Sequence, residues 1–287
     1  MIGRIILRLC LLLAVPTQAA PLRVVDDIGQ ALEFTRPPQR IVSLSPHLTE
    51  LLFAVGADAQ LVGVDSASDY PAAAKMLPRI GDYSRINFER ILALKPDLVL
   101  VWVGGNRAAD IHGLKRVGLP VLHTQARRLD DVARLLRLVG QASGHAAAGE
   151  AAARDFSTRL ATLQQHPVHA EAVPVFYQVW DRPLMTVGGM HWISDALALC
   201  GTRNVFADLR ALSPVVSREA VLRRAPALIV GGSDAPDLRR QWQSFASLPA
   251  VKNNAFVRVD ADRLHRPTPR LIEGVTELCA ALRPYAR

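Results

Sequence analysis

Two stretches of this sequence, 130 positions apart, carry the same pattern. Residues 87–101 (NFERILALKPDLVLV) overlay residues 217–231 (SREAVLRRAPALIVG), so that Glu89 falls on Glu219, Ile91 on Val221, Leu92 on Leu222, Pro96 on Pro226, Leu98 on Leu228 and Val99 on Ile229. Each copy reads as a short helix with an acid in its first turn, a proline stop, and an apolar run suited to a strand buried on both faces. A looser echo pairs residues 49–56 (TELLFAVG) with residues 194–201 (SDALALCG), each a capped amphipathic helix closed by glycine. Helix and strand alternating in two similar halves predict an α/β fold of two lobes with parallel-rich sheets.

Between the halves, residues 130–165 are rich in Ala, Leu, Arg and Glu and contain no proline. Val132, Leu135, Leu136 and Val139 keep helical spacing. Gly140, Gly144 and Gly149 each cost about 1 kcal/mol relative to alanine, and they place a kink near Gly144. The composition still favours one long helix over a flexible linker. Some 35 residues would run about 50 Å, enough to span both lobes and hold their separation nearly fixed. The expected divisions are a signal peptide over residues 1–19, an N-terminal lobe over 20–129, an interlobe backbone helix over 130–166 and a C-terminal lobe over 167–287.

The N-terminus reads as a secretory leader: Arg4 and Arg8 precede an apolar stretch, with small residues at Thr17 and Ala19 for cleavage after Ala19. The stretch is far short of the ~20 residues that span a bilayer, so the mature chain is expected to be soluble. The formal charge of +8 includes the two leader arginines, so the mature chain carries 32 basic against 26 acidic residues, +6. The excess is scattered, with no basic run interleaved with aromatics, which argues against nucleic acid as a partner. Cleavage also removes Cys10 and leaves Cys200 and Cys279 in an oxidising compartment. One disulfide is the expected outcome, with two buried free thiols as the alternative.

Several segments carry a family resemblance: RIVSLSPHLTELLFAVGA at residues 40–57, SDYP at 68–71, NFERILALKPDLVLVWVGGN at 87–106, SREAVL at 217–222 and RPTPR at 266–270. With them the chain resembles the cobalamin-binding, BtuF-type members of the helical-backbone class of solute-binding proteins, over nearly all of its mature length. The resemblance implies two Rossmann-like lobes joined by a rigid helix, with a ligand cleft between them. It implies a periplasmic, monomeric protein that captures cobalamin or a related corrinoid and delivers it to the membrane permease subunits of an ABC importer. The corrinoid is then a transported ligand, with no cofactor and no catalytic role. Cys200 and Cys279 match the disulfide positions of that branch.

A corrinoid presents a planar, apolar macrocycle fringed by amides, and so needs flat aromatic walls and a few polar handles. Aromatics make up only 6% of the chain. Yet Tyr70, Tyr83, Trp102 and Trp180 all fall just after expected strands, where open α/β sheets present ligands. Any one of them alone would more often be core. Asp262 matches a ligand-contacting position of the family and offers an acceptor for corrin amides. His265 beside it and His47 before the first helix complete the expected contacts. The chain departs from the family pattern at Ser213, where a tryptophan is expected, which removes one aromatic wall. For Glu89 and Glu219, an acid in a helix's first turn explains either one alone. The resemblance implies more, a glutamate on each lobe docking on arginines of the membrane subunits.

The alternatives within the class are a receptor for haem, a ferric siderophore or a metal ion. A metal-ion site needs about four convergent ligands, for which His47, His191, His265 and Asp262 are the candidates. Tyr70 or His47 would serve as an axial haem ligand. An enzyme reading finds no GxGxxG, P-loop or GxSxG pattern.

Overall fold

The computed structural model describes residues 21–165, 172–233 and 237–285. The expected leader, residues 1–19, lies outside them, as do the expected helix end at 166 and lobe start at 167. The chain opens with a hairpin of β1 (Leu22–Val25) and β2 (Ala31–Phe34). It continues as β3 (Ile41–Ser43), α1 (Pro46–Ala54), β4 (Leu61–Val64), α2 (Phe88–Ala93), β5 (Leu98–Trp102), α3 (Ala108–Arg116) and β6 (Val121–Thr124). Then come α4 (Asp131–Ser143), α5 (Ala146–Gln164), β7 (Val173–Gln178), the short hairpin strands β8 (Trp180–Asp181) and β9 (Leu184–Met185), α6 (Trp192–Leu199) and β10 (Thr202–Asn204). The last part holds α7 (Arg218–Arg224), β11 (Leu228–Gly232), α8 (Leu238–Trp242), α9 (Pro249–Lys252), β12 (Phe256–Val259), α10 (Ala261–Leu264) and α11 (Leu271–Leu282).

The repeat in the sequence is a repeat in three dimensions. One sheet has the order β4-β3-β5-β6 and the other β10-β7-β11-β12, every neighbouring pair parallel. In each, the second strand lies beside the first, and the third and fourth extend from the first's other edge. β5 and β11 coincide under the 130-residue offset. The helices before them start alike: Asn87 Oδ1 accepts from the Arg90 N–H at 2.9 Å, and Ser217 Oγ from the Ala220 N–H at 3.2 Å. They end alike as well, with Lys95 at φ 47° and Ala225 at φ 43°, both left-handed just ahead of the stop proline.

Continuous apolar strands imply burial on both faces, and the side chains divide accordingly. Leu98 and Leu100 of β5 and Leu228 and Val230 of β11 face one large core that runs through both lobes and includes α4, α5, α6 and α11. Val99 and Val101 face a separate outer core under α2 and α3, and Ile229 another that includes Val221 of α7 and Trp242 of α8. Cys200, just past α6, is bonded to Cys279 of α11, so the expected disulfide is present and ties two helices of the shared core.

The single 50 Å helix expected over residues 130–166 is instead two helices. Gly144 ends α4 at φ 82°, in the left-handed conformation that glycine adopts without a Cβ clash. The chain then turns back so that α5 crosses α4 at closest range through Gly140 and Gly149. A Cβ on Gly140 would stand 2.8 Å from Gly149 Cα, and one on Gly149 would stand 2.7 Å from Leu136 O. The glycines that looked like helix defects are the contact surface. α4 packs on α1 and β1, whereas α5 lies between α4 and α11 and is reached from the far lobe by an Arg159–Glu273 ion pair at 2.5 Å. The connecting helix is therefore α5 alone, 19 residues and about 28 Å long.

Candidate functional site

In a parallel sheet the loops that diverge at the strands' C-terminal ends leave a crevice where the strand order reverses, here beside β3 and β5 in one lobe and β7 and β11 in the other. In the first lobe Asn106 stitches the two diverging loops together. Its Nδ2 donates to Leu44 O at 2.9 Å, and its Oδ1 accepts from the Trp102 N–H at 2.7 Å. Trp102, at the end of β5, lies half-buried with its indole folded over Gly105. The glycine is required there, because a Cβ would stand 1.8 Å from Trp102 Cε3. The indole Nε1 is buried and has no hydrogen-bond partner among the described residues.

His47 meets Trp102 edge-on, with ring centres 5.2 Å apart at 86°, and is itself only 4% exposed. Its Nδ1 lies 2.5 Å from Ser45 Oγ. Burial, reinforced by the nearby Arg266 charge, lowers its pKa to about 3, so the ring that meets the Trp102 indole is neutral. His265 is likewise turned to a ring, its Nε2 2.9 Å from the Tyr177 hydroxyl. His191 is buried, caps α6 by accepting from the Ile193 N–H at 3.1 Å, and has its pKa lowered to about 3 by burial. The four residues considered as a metal set do not converge. Among the described residues no group of three or more His, Cys, Asp or Glu could hold a metal ion.

The other aromatics stand in the open. Tyr70 is 46% exposed, Tyr83 74% and Trp180 51%, whereas Tyr177, Trp192 and Trp242 are fully buried. Tyr70 and Tyr83 follow β4, and Trp180 lies on the hairpin that follows β7. Trp180 pairs with Met185, and Met185 bridges to Val215, itself exposed, so the apolar surface of the second lobe is wider than the indole. Leu212 Cδ1 reaches within 3.7 Å of where a Cβ on Gly104 would be, which brings the two lobes together near Trp102.

A charged cluster joins the lobes at the centre, and sequence reading missed most of it. Glu50 of α1 is buried and accepts from Arg266 Nη1 at 3.0 Å and from Arg270 Nε and Nη2 at 2.9 and 2.6 Å. Arg266 also donates to Asp69 at 2.7 Å and to Asp262 at 2.7 Å, so the expected ligand acceptor Asp262 is already engaged by an arginine. Burial works to raise the Asp69 carboxyl, but the Arg266 hydrogen bond and charge outweigh it and hold it below its ordinary value. The Arg270 guanidinium lies 3.8 Å from the centre of the Tyr70 ring. Two arginines four residues apart in RPTPR were the available signal. Glu50, in mid-helix, gave none.

Glu89 and Glu219 are exposed in the first turns of α2 and α7. The Ser217 hydroxyl holds the Glu219 carboxyl below its ordinary value. In a βαβ unit the helix runs antiparallel to its strands, so both helix N-termini lie on the side where the strands' C-terminal ends open. The two glutamates thus flank the aromatic loops, one on each lobe. A separate concavity of about 540 Å³ between α5 and α6, lined by Arg128, Leu129, Leu160, Asp195 and Leu199, holds none of the aromatics.

Residues 41–263 match the periplasmic binding protein family. The chain is 37% identical over 244 residues to a vitamin B12-binding protein of Vibrio parahaemolyticus serotype O3:K6, covering 85% of this chain and 89% of that one. The crystal structure of the periplasmic vitamin B12 binding protein BtuF of Vibrio cholerae superposes with a TM-score of 0.77 at 36% identity, over 86% of this chain and 98% of that one. The apo periplasmic heme-binding protein RhuT from Roseiflexus sp. RS-1 superposes with a TM-score of 0.75 at 26% identity, over 87% of this chain and 99% of that one. Sheet order, site placement and these likenesses agree: the chain belongs to the periplasmic binding protein family.

Proposed function

We propose that this protein captures cobalamin or a related corrinoid between its two lobes and hands it, unaltered, to the membrane subunits of an ABC importer. The observation that carries the reading is the exposure of Tyr70, Tyr83 and Trp180, with Trp102 half-buried among the same loops, in a chain 37% identical to a vitamin B12-binding protein. Soluble proteins place such rings inside, as this one does with Trp192 and Trp242. Open rings on opposed loops suit a flat apolar macrocycle, and the amide fringe of a corrinoid suits the Asp262–Arg266 edge. His265 and His47 then shape the walls from behind.

On this reading residues 1–19 direct export, the mature protein is a soluble periplasmic monomer, and α5 sets the lobe spacing. Glu89 and Glu219 dock on basic residues of the permease, one on each lobe. The test is the visible spectrum of the protein after incubation with cyanocobalamin, and separately with haem, followed by gel filtration. A corrinoid band eluting with the protein is expected. A haem band with no corrinoid band would move the assignment to the haem-binding branch.

A further inference from the structure

We propose that Glu50 is a positioning residue that couples the separation of the two lobes to the ligand wall at Tyr70. The inference rests on the corrinoid reading for its ligand half and on geometry alone for its lobe half. Glu50 belongs to α1 of the first lobe, its side chain is 3% exposed, and both of its ion pairs come from the second lobe. Arg270 grips both carboxylate oxygens and lays its guanidinium on the Tyr70 ring. Arg266, held by the same carboxylate, reaches Asp69, the residue before Tyr70.

The segment that carries Tyr70 is fastened to its own lobe at Ser68 on one side and at Ala74, which is fully buried, on the other, so Asp69 and Tyr70 lie between the two anchors. Arg79 Nη1 donates to Asp65 O at 3.0 Å and to Ser68 O at 2.6 Å, and Ser68 Oγ pairs with Thr49 Oγ1 at 2.9 Å. Between the anchors, Asp69 and Tyr70 meet arginines of the other lobe. Drawing the lobes apart would strip the Glu50 carboxylate of both its cations, breaking three charge-assisted hydrogen bonds at once. It would also take Arg270 off the Tyr70 ring and Arg266 off Asp69. Lobe separation and the standing of Tyr70 are thus one linked equilibrium, in which each biases the other. A membrane partner that pulls α1 away from the Arg266–Arg270 segment lowers ligand affinity without touching the ligand.

The test uses the full mature chain with nitroxide labels at Met76→Cys and Lys252→Cys, both exposed and on opposite lobes. Cys200 and Cys279 are bonded to each other and take no label. Glu50→Gln keeps the shape and removes the charge. Glu50→Leu with Arg270→Leu removes the pair without stranding a charge, and leaves Arg266 on Asp69 and Asp262. In ligand-free protein Glu50→Gln should show a longer and broader interlobe distance than the parent, with the Leu pair closer to the parent, and the cyanocobalamin affinity of Glu50→Gln should fall about tenfold or more. An unchanged distance distribution in both folded variants overturns the coupling, as does a widened distribution with unchanged affinity. If the parent binds no cyanocobalamin but the distances still widen, the corrinoid reading fails and the interlobe coupling stands.

Discussion

Gly105→Ala tests the aromatic wall by adding a single methyl group. Gly105 does not occupy the left-handed region, so alanine brings no backbone strain, and the whole effect falls on the indole above it. The new Cβ would stand 1.8, 2.3 and 2.4 Å from Trp102 Cε3, Cζ3 and Cδ2. Carbon atoms in contact stand about 3.5 to 4.0 Å apart, so the ring must retreat by about 1.5 to 2 Å. His47 blocks one direction, buried and edge-on to the ring, so the indole leaves its place in the wall. Such crowding costs about 1 to 3 kcal/mol of stability. Loss of the wall should weaken cyanocobalamin binding about tenfold, or about 1.4 kcal/mol. Trp102→Ala should cost about 1 to 3 kcal/mol of binding. Because both changes act on one ring, adding Gly105→Ala to Trp102→Ala should cost almost nothing further. Calorimetry on the two single variants and the double variant decides the matter, with tryptophan emission reporting the ring's displacement. Full additivity of the two losses would refute the argument, since it would mean that Gly105 acts other than through Trp102.

Replacing Cys200 and Cys279 by Ala should cost about 4 kcal/mol of unfolding free energy, because the bond closes a loop of 79 residues in the unfolded chain; a denaturant midpoint unchanged by the substitutions would contradict this. His47 and His191, both neutral in the fold with pKa lowered to about 3, take up protons near pH 6.5 once unfolded. Their contribution is therefore full above pH 6.5 and declines as pH falls toward 3, by about 2 kcal/mol each at pH 5. His191→Gln should flatten the slope of stability between pH 5 and 6.5, and an identical slope would remove His191 as its source. Glu89→Ala with Glu219→Ala should leave cyanocobalamin affinity intact and lower importer-dependent uptake by more than either single change; normal uptake with a slightly lower melting temperature would leave both as helix-terminus residues.

The parts of this fold that were legible in the sequence are those whose cause is local. Within each copy the acid of the first turn, Glu89 or Glu219, the stop at Pro96 or Pro226 and the buried run after it lie within fifteen residues, and each stands where the pattern put it. The break at Gly144 was half-legible. Propensity counts each glycine as a small penalty on one helix, but it cannot see that Gly140 and Gly149 touch each other and so make two. His47 was expected in a loop before the first helix but lies in the first turn of α1, and the rings that His47 and His265 meet, Trp102 and Tyr177, are neighbours that only tertiary structure supplies. Glu50 was passed over for the same reason. Its partners lie 216 and 220 positions away, and a buried charge is spelled no differently from an exposed one.

The two halves diverge where the candidate site lies and agree where the scaffold lies, and this separates the two kinds of constraint. Under the 130-residue offset Lys95 and Ala225 share a left-handed backbone although their side chains differ, so the duplicated framework fixes geometry rather than chemistry at the turn. At the strand end the same offset sets Trp102 against Gly232. One lobe carries an indole wall where the other has no side chain at all, and the second lobe supplies its open ring, Trp180, from a hairpin that follows β7, with no hairpin after β3 to match it. Tyr70 and Arg270, which meet face to face, likewise come from non-equivalent loops, after β4 and after β12. Two similar sheets thus give a candidate site whose two sides are unlike, because chemistry is carried by the loops and only their placement is inherited from the repeat. Glu89 and Glu219 break this pattern, being identical residues at one repeat position and both exposed. A scaffold role needs only an acid somewhere in the first turn, so the retention of glutamate at the same position on both lobes fits a partner that presents the same surface twice.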